Sequence, residues 1–253
     1  MTRSTRVLLG CAVVIATVPL SAQRKPAPVM LHADPQVLAL ACAPSLGDET
    51  AQSPLRVTGG QDVIKRHSHA PGDLITINAG ADNGIEIGQE FYTRRVLHDH
   101  GSPISPKSKD VVRTTGWLRI WAVDPTMSLA TITHACETID VGDYLEPFVL
   151  PQMPVVSQEP LKPEKGNYGR VMAGADRRFA FGTGDFFVLD RGSAQGITPG
   201  ARFVIFRDKQ QSENFLFDLG EAVAVEVKEN TATLQVTVSR DAFLIGDYVA
   251  QRK

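Results

Sequence analysis

The sequence is short of the features that usually reveal a reaction. It has three cysteines in 253 residues, aromatics make up 7%, and there is no cluster of lysine and arginine. Two of those cysteines, Cys42 and Cys136, lie beyond the N-terminal 22 residues, so a cysteine-rich metal cluster or multi-bridge scaffold is excluded. A formal net charge of −2 without a basic patch argues against nucleic acid as a partner. Helical periodicity of useful length is missing, which argues against a bundle. A long apolar run is missing as well. Val7–Leu20 is apolar, but a bilayer span needs about 20 such residues. Arg3 and Arg6 before that run, and Ser21-Ala22 after it, make residues 1–22 a signal peptide. Its removal takes away two arginines and no acids, leaving a formal charge of −4 and no expected transmembrane span. A periplasmic or secreted location follows. In that oxidising compartment Cys42 and Cys136 are expected to pair, the alternative being two buried thiols.

What is present is one stretch used twice. Gly72-Asp73, Gly80, Gly84-Ile85, Gly88 and Phe91 have partners in Gly184-Asp185, Gly192, Gly196-Ile197, Gly200 and Phe203. The match continues upstream, from Arg56-Val57 and Gly60 to Arg170-Val171 and Gly174. Downstream it runs from Gly116 and Gly142-Asp143-Tyr144 to Gly220 and Gly246-Asp247-Tyr248. The spacing changes between these blocks, which puts the insertions in loops. The organisation predicted is a signal peptide (1–22), a leader (23–55), module one (56–148), a proline-rich linker (149–169) and module two (170–253). The leader is expected to supply a short helix or strand docked on module one, and the linker an extended spacer.

Within each module the pattern is β. Leu74–Ile77 and Phe186–Leu189 are short apolar runs. Trp117–Val123, opened by Gly116, and Glu221–Val227 are β-branched or aromatic. Ala130, Ile132 and His134 align with Leu234, Val236 and Val238 as one buried face. The fold class expected is all-β, with two tandem small β-barrels, closed or partly open and of SH3-like size. Gly80, Gly84, Gly88, Gly192, Gly196 and Gly200 are expected to be structural turn residues, with Ile85 and Ile197 plugging the barrel ends. The same frame lacks the helix start and lysine of a phosphate-binding loop.

The order Arg-Val, Gly-Asp, Gly-x-x-x-Gly-Ile-x-x-Gly-x-x-Phe and a closing Gly-Asp-Tyr resembles a bacterial envelope β-barrel module. That module is the one in the C-terminal domain of the flagellar assembly protein T and in LysM-associated periplasmic proteins. The resemblance covers both modules and implies a non-catalytic, periplasmic role in structure or assembly. No LysM-like segment precedes the modules here.

Three further constellations stand out. His67, His69, His98 and His100 form two His-x-His pairs able to hold zinc or copper, or are simply solvated loop residues. Trp117, Arg119 and Trp121 share a strand face. Trp117 with Arg119 makes a partner or glycan surface, while Trp121, aligned with Val225, belongs in the core. Asp73, Asp185, Asp143 and Asp247 each follow a glycine at the start of a strand, where a carboxylate accepts turn amides. No catalytic frame is aligned in either module, so neither an enzyme nor a cofactor is expected. The function read from the sequence is a non-enzymatic envelope scaffold or adaptor with a protein partner. The alternative is a peptidoglycan- or polysaccharide-binding protein.

Overall fold

A computed structural model describes residues 34–47, 52–97, 110–156, 162–164, 166–174, 180–208 and 215–253. Residues 1–22, expected to be a signal peptide, and both His98 and His100 lie outside the described residues. The chain is mostly strand, as the β patterning demands. Among the described residues the one α-helix is α1, Pro35–Ala41. It starts with Asp34 accepting from the Gln36 amide at 2.8 Å and with a proline in the first turn, both favourable for a helix start.

The leader continues into β1 (Ser45–Leu46). Module one then contributes β2 (Val57–Gly60), β3 (Ser68–His69), β4 (Leu74–Ile77), β5 (Glu90–Leu97), β6 (Val111–Val123), β7 (Ser128–Ala135), β8 (Ile139–Asp140) and β9 (Tyr144–Pro147). Its sheet runs β2-β4-β7-β6-β5-β9, with β1 added beside the start of β6 and β3 paired separately with β8. Module two contributes β10 (Gly169–Gly174), β11 (Ala180–Phe181), β12 (Phe186–Leu189), β13 (Arg202–Asp208), β14 (Leu216–Val227), β15 (Ala232–Ser239), β16 (Phe243–Leu244) and β17 (Tyr248–Gln251). Here β10-β12-β15-β14-β13-β17 closes into a barrel, and β11 pairs with β16. The strand order is the same in both. Where β10 and β17 pair through Gly169–Val249 and Arg170–Tyr248, module one has a single bridge, Arg56 to Tyr144. The first sheet is thus a half-barrel form of the second.

Even the irregularities recur. Register shifts fall at Val57/Gly59 and Val171/Ala173, at Thr93/Arg94 and Ile205/Phe206, and twice along β6 and β14. Such bulges bend a strand sharply enough for a small sheet to curl on itself. Each curl encloses an apolar core. Ile75, Ile77, Leu118, Ile120, Ile132 and Leu145 fill the first; Phe187, Leu189, Phe203, Ile205, Leu234 and Phe243 fill the second. The plug is as expected, since Ile85 and Ile197 are buried in these cores. Gly84 and Gly196, at φ +77° and +79°, set the turn before each plug, and Gly88 and Gly200 are also left-handed. Gly80 and Gly192 serve differently. Their backbone is extended, but a Cβ would run into the carbonyls of Asp124 and Lys228 respectively.

Three expectations need correction. Gly116 does not open its strand. β6 starts upstream at Val111, and Gly116 sits inside it, where a Cβ would strike the His134 carbonyl. The linker is not a free spacer throughout. Tyr92 Oη donates to the Val149 carbonyl at 2.8 Å, Met153 packs beside α1, and Pro163 bridges to Arg252 next to β17. His134 is not inward-facing. The shift between Trp117 and Leu118 reverses the alternation at Thr133, so His134 and its counterpart Val238 point outward.

Candidate functional site

The segment without a counterpart in the strand order shared by the two sheets is the leader. One side of α1 packs on module one, with Leu38, Ala41 and Cys42 against Tyr92, Trp117, Cys136 and Phe148. The other side packs on module two, where Leu40 and Ala43 meet Phe186 and Val225, with Met153 beside them. After the helix, Thr233 Oγ1 donates to the Pro44 carbonyl and Lys228 Nζ to the Leu46 carbonyl, both at 3.2 Å, while β1 pairs with β6. A segment expected on module one alone therefore holds both. The expected disulfide is present, joining Cys42 to Cys136 with Cα atoms 5.7 Å apart.

Around that disulfide lies an aromatic cluster. Trp117 stacks on His134, with ring centroids 4.1 Å apart and planes at 14°, and meets Phe148 at 5.3 Å and Tyr92 edge-on at 6.2 Å. Arg94 lies over the Tyr92 ring at 4.5 Å. Burial pushes the Tyr92 hydroxyl above its ordinary pKa and the His134 imidazole below its own. The His134 Nε2 stands 4.0 Å from the Cys42 sulfur.

The proposed partner surface of Trp117 and Arg119 is not a surface. Trp117 faces away from the barrel core, as its strand face predicts, but the leader covers it to 4% exposure. Arg119 is half-buried, with Nε reaching the Gly88 carbonyl at 3.4 Å. Trp121, expected in the core, is 43% exposed. Its partner Val225 is indeed buried, but beneath α1 instead of inside the barrel. The contact with Leu40 and Ala43 of the leader is thus made on module two, at Val225.

The histidine pair also separates. His67 is exposed, whereas His69 is 2% exposed, because the chain is extended only at Ser68–His69 and the two rings do not share a face. His69 fills the space above Gly60 as Phe181 does above Gly174, and neither ring nitrogen has a hydrogen-bond partner. Asp73 Oδ2 approaches Nδ1 at 3.9 Å. His69 is thus buried at the place that Phe181 takes in module two.

The repeated carboxylates are turn elements. Asp73 accepts from the Ala70 amide at 3.0 Å and Asp185 from that of Gly182 at 2.9 Å. Asp143 accepts from the Asp140 amide and Thr115 Oγ1, both at 2.9 Å, and pairs with both Arg95 Nε and Nη2; Asp247 repeats this with Leu244 N and Arg207. Burial pushes the Asp143 carboxyl above its ordinary value, while the Arg95 bonds pull it back. Arg95 and Arg207 were a signal missed in the sequence, for they stand in the same repeat spacing as the glycines.

Between the leader and the two modules opens a cleft of about 690 Å³, lined among others by Leu40, Tyr92, Arg94, Glu146, Val225 and Lys228. Arg94 Nε pairs with Glu146 at 3.2 Å and Nη1 donates to Thr114 Oγ1 at 2.6 Å. Both signs of charge and exposed aliphatic surface meet there. No family model and no curated protein matches the chain.

Proposed function

We propose that this chain is a non-enzymatic scaffold or adaptor of the cell envelope, exported through residues 1–22, which holds two copies of one small β-barrel in a fixed pairing. The observation that carries this reading is the leader helix. It is buried between the modules and covalently tied to one of them, a construction suited to fixing geometry. The shared strand order, the recurring bulges and the Arg56–Tyr144 bridge support reading module one as the same barrel as module two. The repeated Asp–Arg pairs support a structural reading of the acids, since they satisfy turn amides in both modules. The cleft is the best candidate for the protein partner, as it exists only while the leader keeps the modules together.

The test is affinity capture from envelope extracts with the full oxidised chain, alongside sedimentation with purified sacculi. The scaffold reading expects a stoichiometric protein partner that is lost in Leu40→Asp, which disrupts the joint. Retention on insoluble sacculi with no protein partner would favour polysaccharide binding and overturn it.

A further inference from the structure

The disulfide has a third neighbour whose chemistry is not needed for cross-linking. The two sulfurs and a ring nitrogen of His134 all lie within 4.8 Å of one another. We propose that, once a dithiol reductant opens Cys42–Cys136, the two cysteines and His134 become the protein ligands of a zinc ion, with the fourth position open.

The three positions are set by contacts other than the disulfide. Cys42 caps α1, its amide bonded to the Leu38 carbonyl at 3.2 Å. Cys136 follows β7, its amide bonded to the Thr115 carbonyl at 3.0 Å. His134 is held in β7 opposite Trp117 and fixed in orientation by stacking on it. His134 and Cys136 are two residues apart, the spacing that brings side chains to one face of an extended chain. Reduction therefore leaves a half-organised ligand set.

The chemistry balances. A dithiol gives two electrons and two protons to the protein disulfide, becoming a disulfide itself and leaving two thiols. Zinc(II) then displaces both thiol protons and accepts the imidazole lone pair. Two thiolates cancel the ion's charge, so the complex is neutral and suits a half-buried position. Two Cys and one His with an open fourth position is a recognised zinc arrangement at about 2.0–2.3 Å from the metal. Tetrahedral geometry needs the sulfurs about 3.7 Å apart, which side-chain rotation supplies. Beside the pair lies a cavity of about 240 Å³, also lined by Glu137 and Asp185, ample for a water as fourth ligand. Zinc would thereby keep α1 fastened to module one under reducing conditions.

The experiment uses the full chain, oxidised and after phosphine reduction, titrated with zinc against a chromophoric chelator and with cobalt(II) as a spectroscopic probe. The expected result is one zinc per reduced chain, with none bound by the oxidised chain. Cobalt should show near-ultraviolet thiolate charge-transfer bands and strong tetrahedral visible bands. His134→Gln, whose disulfide still forms and whose fold can be verified in the oxidised state, should lower the reduced-state affinity at least about tenfold. The stability lost on reduction should return with zinc in the wild type. Equal zinc uptake by oxidised and reduced protein, or an unchanged affinity in His134→Gln, would overturn the proposal. So would a reduced chain that binds no zinc because α1 has left.

Discussion

Replacing Cys42 and Cys136 by serine isolates the effect of the cross-link on the leader joint. The bridge closes a loop with a sequence separation of 94, which encloses β1 to β7 and leaves β8 and β9 of module one outside it. In the chain-entropy model a loop of that size restricts the unfolded chain by about 4–5 kcal/mol at 25 °C, and measured bridges commonly reach about 2–4 kcal/mol. The half-buried site adds little of its own, since serine is nearly isosteric. Urea unfolding of the oxidised wild type and the double variant, followed by tryptophan fluorescence, measures the difference. Trp117 lies under the leader and Trp121 is exposed, so the fluorescence change on unfolding is dominated by the joint. The expected outcome is a loss of about 2–4 kcal/mol with a steeper denaturant dependence, because the uncrosslinked unfolded chain exposes more surface. A loss below about 0.5 kcal/mol with an unchanged slope would show that the bridge does not restrain the unfolded chain, and two alkylatable thiols in unreduced wild type would show that it does not form.

Gly84→Ala and Gly196→Ala should each cost about 1–3 kcal/mol, because both positions are left-handed. Thermal melts check this, and Gly80→Ala should cost more, since its Cβ would meet the backbone of Asp124 and Pro125. His69→Phe should stabilise the protein by about 1–2 kcal/mol, since it removes two buried nitrogens without partners and installs the residue module two uses above Gly174. The Asp73 carboxyl is held below its ordinary value by the Ala70 amide first, with Arg66 and His69 adding to it. A depressed carboxylate stabilises the fold above its unfolded pKa, near 3.9, and loses that contribution as pH falls through the lower folded value. Acid titration of the melting temperature should show a shallower loss below pH 4 in Asp73→Asn than in wild type.

Much of the architecture was legible because glycines and aspartates at turns act locally. Gly84 and Gly196 need a backbone region that L side chains avoid, and Asp73 and Asp185 bond amides three residues away. Such constraints survive in sequence whatever surrounds them. The disulfide was legible by count, since Cys42 and Cys136 are the two cysteines beyond residue 22. The joint was not. A helix of seven residues, Pro35–Ala41, is too short to display a period, and its two apolar sides serve different modules. That same hidden cover exchanged the expected fates of Trp117 and Trp121. Alignment correctly paired Trp121 with Val225, but burial of Val225 came from α1 and could not be transferred. His134 was misplaced because a bulge at Thr133 breaks the two-residue alternation without leaving a mark in residue type. Matching residue spacing carries over a position in the strand order; it does not carry over that position's surroundings.

Differential scanning calorimetry of the oxidised full chain shows whether the leader makes one unit of two modules. A single cooperative transition is expected in the wild type, splitting into two in Leu40→Asp, since Leu40 is 5% exposed where α1 meets module two. Two independent transitions already present in the oxidised wild type, unmoved by Leu40→Asp, would contradict it.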